Sequence, residues 1–210
     1  MIVGVLLAAG SARRFGGTQK LLAPVPHENG EESVPLVRLA VMGLREGGLD
    51  HVVVLGREAE AVRACVADLG SSFVVNSAFE TGMSSSLRAG VAYALEHWPA
   101  TDALLIALGD QPLAGSGIVD VLVEHFRRLP NEGRKPLIVA PRYRGEVGNP
   151  VLFDRMLAPE LLAVTGDRGA RSVVERDPTR VHYVELNREA PRDVDTPGDV
   201  AALSAELRFQ

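Results

Sequence analysis

The sequence has little cysteine and no long apolar segment. Cys65 is the single cysteine, which excludes an intramolecular disulfide and any zinc site built from several cysteines. No run reaches the roughly 18 apolar residues that a membrane-spanning helix needs. The apolar N-terminus lacks the basic region of a signal peptide, so we interpret it as a strand. These features predict a cytoplasmic protein without a membrane partner.

The chain also lacks an excess of positive charge and the patterns of common hydrolases. Its formal net charge is −5, which argues against broad binding to nucleic acid. The five histidines form no metal-binding pattern, and the chain contains no G-x-S-x-G sequence. Any anionic ligand must therefore be held by a local cationic site.

Short apolar runs alternate with amphipathic helical patterns along the whole chain. Helices are predicted over residues 84–98 and 116–129 and after residue 195, with serines available to cap the first of these. Strands are predicted at residues 2–8, 51–56, 72–76, 103–108 and 136–141, with weaker candidates at 150–153 and 182–186. This order predicts a mostly parallel, Rossmann-like sheet in a three-layer α/β/α sandwich. We expect one domain over residues 1–210, with the polar stretch 25–36 as a loop-like local insertion.

The stretch LLAAGSARRFGGTQKLL, residues 6–22, follows the first predicted strand. Its spacing matches neither the dinucleotide fingerprint nor the Walker loop. It does offer Arg13, Arg14 and Lys20 to phosphate oxygens, and the leucines after Lys20 predict that its stem is anchored. A glycine-rich turn with solvated arginines is the alternative.

Aspartates follow the fourth strand and recur near the C-terminus. Asp110 is placed at the carboxyl end of its strand, where open α/β sheets bind ligands. Asp193 and Asp195 alternate with Val194, so both lie on one side of an extended segment. Such carboxylates suit Mg²⁺, which takes one or two of them together with substrate oxygens. Capping of turns or helices is the structural alternative.

Three further polar stretches contain glycine beside groups that bind substrates. FETGMSSSLRAG contributes Gly82 and serines at a helix start, where either capping or base recognition is possible. RGEVGNPVLF contributes Asn149, and TGDRGARSVV contributes Asp167, Arg168 and Arg171.

Taken together, these motifs resemble the nucleotidyltransferases of the sugar and molybdopterin type. Residues 6–22 match the LAAG-x-S-x-R-[MF]-G…K signature, except that Ala12 stands where the signature has serine. GMSSSLRAG, LGDQP, GNPVLF, GDRGAR and DVDTPGD then follow in the order of the MocA-like molybdenum cofactor cytidylyltransferases. The resemblance covers essentially the whole chain.

The resemblance implies Mg²⁺-dependent transfer of a nucleoside monophosphate to the phosphate of a molybdopterin-type acceptor, with release of pyrophosphate. It implies catalytic roles for Arg14, Lys20 and Asp110. Metal binding falls to Asp110 and Asp195, with Asp193 as a further candidate. The other implied roles divide into nucleotide binding, by Leu7, Ala8, Ala9, Gly10, Arg14, Lys20, Gly82, Ser84 and Ser85, and acceptor binding, by Gln111, Asn149, Asp167, Arg168 and Arg171.

The pair of alanines in LAAG resembles the cytidylyl branch, whereas guanylyltransferase relatives typically have LAGG. CTP is therefore favoured over GTP. Two alternatives stay open: transfer to another acceptor, such as a sugar phosphate or phospholactate, and a maturation factor that hands the pterin cofactor to an apo-molybdoenzyme without turnover. The second alternative predicts a degraded catalytic set, yet Lys20, Asp110 and Asp195 are all present.

Overall fold

The computed structural model describes residues 1–10, 19–27, 32–112, 116–129, 137–191 and 193–207. Arg13 and Arg14 of the basic loop lie outside these residues, as do positions 28–31 of the predicted insertion. No described helix is both long and apolar enough to cross a membrane.

Ten strands occur within the described residues. They are β1 (Ile2–Ala8), β2 (Pro24–His27), β3 (Glu32–Pro35), β4 (Asp50–Leu55), β5 (Ser72–Val75), β6 (Ala103–Leu108), β7 (Ile138–Tyr143), β8 (Glu146–Val147), β9 (Val151–Asp154) and β10 (Val181–Leu186). The five main strand predictions and both weaker ones are confirmed to within two residues at each end.

The helices within the same residues are α1 (Leu36–Glu46), α2 (Ala59–Ala64), α3 (Met83–His97), α4 (Ile118–Arg128), α5 (Ala158–Leu162), α6 (Arg171–Arg176) and α7 (Pro197–Leu207). The three predicted helices are α3, α4 and α7. The short helices α5 and α6 span only one or two turns, too few for a clear helical period.

The main sheet has the strand order β10-β7-β9-β6-β1-β4-β5, with β8 paired to β7. The pairs β6–β1, β1–β4, β4–β5 and β10–β7 are parallel, whereas β9 runs antiparallel between β6 and β7. The predicted mostly parallel sheet is therefore confirmed, with β9 as the reversed central strand.

Alternate residues of β1 enter two separate apolar cores. Leu6 and Ala8 pack with α1 and α4 on one face of the sheet, and Val5 and Leu7 pack with α3 on the other. This two-residue period places helices on both faces and produces the expected three layers. Gly90 permits the close approach of α3, because a Cβ there would lie 2.4 Å from a Val5 methyl carbon.

The segment predicted as a loop over residues 25–36 is instead mainly a β-ribbon. Its strands β2 and β3 pair antiparallel, and Val25 is fully buried. Val25 belongs to a third, smaller core with Leu36, Val194 and Leu203. The prolines and charged residues of this strand pair are typical of a loop, which is why the strands were not predicted. The small core connects the ribbon to the segment that carries Asp193 and Asp195.

Candidate active site

An open cleft of about 530 Å³ lies at the carboxyl ends of β1 and β6. This is where parallel α/β sheets bind ligands. Its described lining combines apolar and charged groups: Leu7, Ala9, Gly10, Lys20, Leu21, Phe79, Glu80, Gly82, Met83, Ser86, Leu108, Asp110, Asp167, Asp193 and Asp195.

Lys20 joins two carboxylates from distant parts of the chain. Its Nζ donates to Asp110 Oδ2 at 2.6 Å and to Asp195 Oδ1 at 2.7 Å. Burial lowers the pKa of the Lys20 ammonium, but the attraction and hydrogen bonds of the two carboxylates outweigh burial and hold that pKa above its ordinary value. The lysine therefore stays protonated and positively charged at neutral pH.

A short 3₁₀ turn, Lys20–Leu22, positions this lysine. Gln19 before it is fully buried, and its Nε2 donates to the carbonyl of Arg57 at 3.0 Å. Leu21 packs into the core with 2% of its surface exposed. The predicted anchoring of Lys20 by the following leucine is confirmed.

Asp110 and Asp195 are brought together through Val194. The Val194 N–H donates to the Asp110 carbonyl at 3.2 Å, and the Val194 side chain is fully buried. Farther along, Asp199 Oδ2 accepts from the N–H groups of Asp195 and Thr196. Asp199 therefore has a structural role, because it fixes the backbone that presents Asp195.

Asp193 has a different partner. Its Oδ1 accepts from Gln111 Nε2 at 2.6 Å. Burial raises the pKa of Asp193, and the carboxylates of Asp110 and Asp195 raise it further, against the opposing effect of the Gln111 hydrogen bond. Gln111 is 7% exposed and does not line the cleft, so its amide orients Asp193 instead of facing a ligand as expected.

The donor set fits a hard divalent cation. Asp110 and Asp195 present carboxylate oxygens that converge on one position, now held by an ammonium group. Within the described residues, no three His, Cys, Asp or Glu side chains are arranged to hold a metal ion together. Two carboxylates are nevertheless sufficient for Mg²⁺, because substrate oxygens and water complete its coordination.

The end of β1 forms one wall of the cleft. Leu7, Ala9 and Gly10 line it, whereas the Ala8 side chain is buried in the core on the opposite face. Any contribution of Ala8 to nucleotide binding is therefore limited to its backbone.

The serines at the start of α3 differ in their exposure to the cleft. Ser85 Oγ accepts from Asn76 Nδ2 at 2.8 Å and lies 3.0 and 2.9 Å from the carbonyl oxygens of Ala78 and Gly82. Ser84 is 2% exposed and does not line the cleft. Ser86, which the sequence analysis did not single out, is the serine that lines it.

Asp167 caps α3 from another part of the chain. Its Oδ1 accepts from the Met83 N–H at 3.2 Å, and no side chain of the preceding residue caps this helix. The predicted serine cap is therefore wrong. Gly82 adopts φ of +116°, and a Cβ there would lie 2.7 Å from Asp167 Oδ1 and 2.9 Å from the Gly166 carbonyl oxygen.

Besides Gln111, three expected acceptor residues lie away from the lining. Arg168 Nη2 and Arg171 Nε both donate to Glu175, and the two arginine side chains are about three-quarters exposed. Asn149 lies between β8 and β9, where its carbonyl accepts from the Tyr143 hydroxyl at 3.0 Å. Asp167 is the member of this predicted set that lines the cleft.

Several residues that line the cleft were not predicted from the sequence. Phe79, Glu80 and Met83 surround the Gly82 turn, and Met83 is 41% exposed despite its large apolar side chain. An apolar methionine directly after a glycine is the signal that the sequence offers, but it becomes informative only when the fold places this turn in the same cleft as Asp110.

The charge of the cleft is unbalanced. Five described lining residues are carboxylates: Glu80, Asp110, Asp167, Asp193 and Asp195. Lys20 is the single cationic side chain among the described lining residues. The described lining residues alone would repel a triphosphate, so its binding requires further cations, either from a metal ion or from other residues of the chain.

Comparison with known proteins identifies the family of this chain. Residues 4–181 match the family model of the MobA-like NTP transferase domain. Nicotine blue oxidoreductase of Paenarthrobacter nicotinovorans is 34% identical over 201 residues, covering 93% of this chain and 92% of that protein.

A solved structure of Rv0371c from Mycobacterium tuberculosis H37Rv matches with a TM-score of 0.79 at 28% identity, covering 97% of each chain. A second structure of that protein, in complex with manganese, matches with a TM-score of 0.75, again at 28% identity, covering 97% of this chain and 98% of that one.

The protein has the nucleotide-diphospho-sugar transferase type of fold. It is a nucleotidyltransferase. Within that class, the chain belongs to the family of the MobA-like NTP transferase domain.

Proposed function

We propose that this protein transfers CMP from CTP to the phosphate of molybdopterin, with Mg²⁺, and releases pyrophosphate. The observation that carries the proposal is the convergence of Lys20, Asp110 and Asp195 opposite the Leu7–Gly10 wall of one cleft. The choice of CTP and of the acceptor depends on the resemblance of LAAG and the later motifs to the cytidylyl branch.

The reaction requires positioning and charge neutralisation more than acid–base catalysis. An oxygen of the acceptor phosphate bonds to the α-phosphorus of CTP, and the bond from that phosphorus to the bridging oxygen of the β-phosphate breaks. The electron pair leaves with pyrophosphate. No strongly activated nucleophile is needed from the protein, because the acceptor phosphate is already ionised.

Lys20 is proposed to stabilise the negative charge that develops on the departing pyrophosphate. Its side chain is 12% exposed, so solvent screens this interaction only in part. Arg14 is proposed to act beside it on the same phosphates. Asp110 and Asp195 are proposed to hold Mg²⁺, which when bound would neutralise triphosphate oxygens and orient them.

The nucleoside is proposed to lie between two backbone surfaces. Leu7, Ala9 and Gly10 form one of them, and the Gly82 turn with Ser86 forms the other. Ser85 supports the second surface through its contacts with the Ala78 and Gly82 carbonyls. Residues 166–171 are proposed to face the acceptor, with Asp167 as the member of this loop inside the cleft.

Two observations on relatives bear on this proposal. The manganese complex of Rv0371c supports a divalent ion for this chain as well. The oxidoreductase name of the Paenarthrobacter nicotinovorans relative favours a second candidate, hydride transfer to an aromatic substrate in the same cleft. Against this candidate, the loop after β1 lacks the dinucleotide spacing, since Ala12 stands where that fingerprint requires glycine.

The test is release of pyrophosphate with each of the four ribonucleoside triphosphates, Mg²⁺ and molybdenum-loaded molybdopterin. The proposal predicts release with CTP that depends on both metal and acceptor. Release with GTP and not CTP would contradict the base assignment. Oxidation of NADH or NADPH with nicotine blue, in the absence of pyrophosphate release, would favour the second candidate.

A further inference from the structure

The ammonium of Lys20 occupies the position between the two carboxylates proposed to bind metal. One nitrogen accounts for both contacts, at 2.6 Å to Asp110 and 2.7 Å to Asp195. The lysine side chain is 12% exposed and the Asp110 side chain 23%, so this contact is partly shielded from water. The Lys20–Asp110 contact is therefore unlike the exposed ion pairs on the protein surface, which contribute little, whereas the Asp195 side chain is 41% exposed.

The ammonium and a divalent ion require the same oxygen atoms. Mg²⁺ binds carboxylate oxygens at about 2.1 Å, and its positive charge repels an ammonium placed between those oxygens. With Lys20 present, the three side chains carry a net charge of −1, from one positive and two negative groups. Without the lysine charge, the same two carboxylates carry −2.

The ammonium of Lys20 can move away from the two carboxylates without a change in the backbone. Gln19 and Leu21 are buried on either side of it, and the Gln19 amide bonds to Arg57. The ammonium is attached through a stem of four methylene groups with rotatable bonds. A rigid turn thus carries a cation that can change partners by rotation about side-chain bonds.

We propose that Lys20 is the counter-cation of Asp110 and Asp195 in the nucleotide-free protein and excludes the free divalent ion until a metal–triphosphate complex arrives. The inference rests on the proposed function, which supplies the triphosphate. Phosphate oxygens then offer the ammonium a new anionic partner as the metal takes the carboxylates. Metal and nucleotide consequently bind together, and Lys20 moves from the carboxylates to the phosphates.

The experiment measures Mn²⁺ binding to the nucleotide-free protein by the loss of the free-ion electron paramagnetic resonance signal. Lys20→Met removes the charge and retains a long apolar side chain, whereas Lys20→Arg retains the charge. We expect Lys20→Met to bind Mn²⁺ more tightly than the wild type by on the order of tenfold or more, since a competing cation is removed. Lys20→Arg is expected to bind about as weakly as the wild type.

Two further measurements connect the gain to this position. Asp110→Asn added to Lys20→Met is expected to abolish the gain. Mn²⁺ is also expected to raise the thermal unfolding temperature of Lys20→Met more than that of the wild type, because an ion that binds only the folded state stabilises it. Lys20→Gln repeats the test if Lys20→Met does not fold.

Equal or weaker Mn²⁺ binding by Lys20→Met would overturn the inference, and so would a gain that survives Asp110→Asn. Failure of the proposed function has a different result: the wild type would release no pyrophosphate with any nucleoside triphosphate, while the gain in Mn²⁺ binding would persist.

Discussion

The backbone N–H of Met83 donates to Oδ1 of Asp167 at 3.2 Å, across 84 positions of the chain. This bond connects the first turn of α3, on the proposed nucleotide side of the cleft, to the loop on the proposed acceptor side. A second bond, from the Ser84 N–H to the Gly166 carbonyl, strengthens the connection. The two proposed halves of the site are therefore held together by two backbone N–H donors of α3, one bonded to a side chain and one to a carbonyl of the facing loop.

Replacing Asp167 tests this connection. Asp167→Ala removes the cap of α3 and is expected to destabilise the protein by about 1 kcal/mol, because a helix N–H loses its acceptor. For a chain of this size that corresponds to a fall of about 2–4 °C in the unfolding temperature. We also expect the KM for CTP to rise, since the Gly82 turn loses its support.

Asp167→Asn is the matched control, because its side-chain carbonyl can still accept from Met83. It is expected to recover most of the unfolding temperature and of the KM for CTP. Equal losses in the two variants would show that the carboxylate charge matters and that the hydrogen bond does not.

Gly82→Ala should be more damaging than an alanine at another left-handed glycine. Both Gly82 and Gly70 have positive φ, at +116° and +70°, but only at Gly82 would the added Cβ meet other atoms within 3 Å. Gly70, with ψ of +23°, lies in the αL region, so Gly70→Ala carries only that backbone cost, of about 1 kcal/mol. Gly82, with ψ of +164°, lies in a region that is essentially restricted to glycine, so its backbone cost is larger and the close contacts add to it. We expect a larger loss of unfolding free energy for Gly82→Ala in urea denaturation, and similar losses in both variants would refute the close packing against Asp167.

His51 predicts that stability falls in mild acid. Burial is the largest effect on its pKa and lowers it below the ordinary value of 6.5, although the hydrogen bond to the Leu49 carbonyl opposes this. That carbonyl can only accept, so Nδ1 carries the proton and Nε2 accepts from Ser71 Oγ at 2.8 Å. The folded protein thus holds a neutral imidazole that is 4% exposed.

Because the folded pKa is depressed, the unfolded chain takes up a proton first as the pH falls. The free energy of unfolding should be unaffected by His51 above pH 6.5 and should decrease below it, by at most about 1.4 kcal/mol per pH unit, until the folded pKa is reached. Urea denaturation at pH 7.5 and 5.5 measures this slope. His51→Gln is expected to flatten it, and an unchanged slope in the variant would exclude His51 as its source.

Asp110→Asn removes one proposed metal ligand while keeping the shape of the side chain. We expect kcat to fall by on the order of a hundredfold or more, because the lost charge acts directly on the metal and the phosphates. Asp68→Asn is the matched control: Asp68 also bonds a cationic side chain, Arg38 at 2.7 Å, but lies outside the cleft lining. Near wild-type turnover by Asp110→Asn would remove Asp110 from the site.

Much of the sheet was predictable because its strands are buried on both faces. Runs such as residues 2–8 and 103–108 are continuously apolar, so their strand character needs no tertiary information. The ribbon formed by β2 and β3 was not predictable in the same way. Its prolines and polar residues fit a loop equally well, and the packing of Val25 with Leu203 and Val194 that stabilises it as strands is a tertiary feature.

The meeting of the lysine with the two aspartates was also predictable from the sequence, because the topology places residues that follow parallel strands at one edge of the sheet. Lys20, Asp110 and Asp195 meet as expected there. The acceptor residues were less predictable, since Arg168 and Arg171 have a local carboxylate partner in Glu175. A glycine-rich polar loop does not reveal which of its side chains turns inward, and here Asp167 does.

The most direct test of the proposed CMP transfer follows the α-phosphorus itself. The protein is incubated with Mg²⁺, molybdenum-loaded molybdopterin and CTP carrying ³²P at the α-position, and the products are separated. The proposal predicts that the label appears in a nucleotide conjugate of the acceptor in step with pyrophosphate release, and that Asp110→Asn forms this conjugate slower by on the order of a hundredfold or more. Two results would contradict the proposed CMP transfer. In the first, all the label stays in CTP while α-labelled GTP is transferred; in the second, no nucleotide is consumed at all.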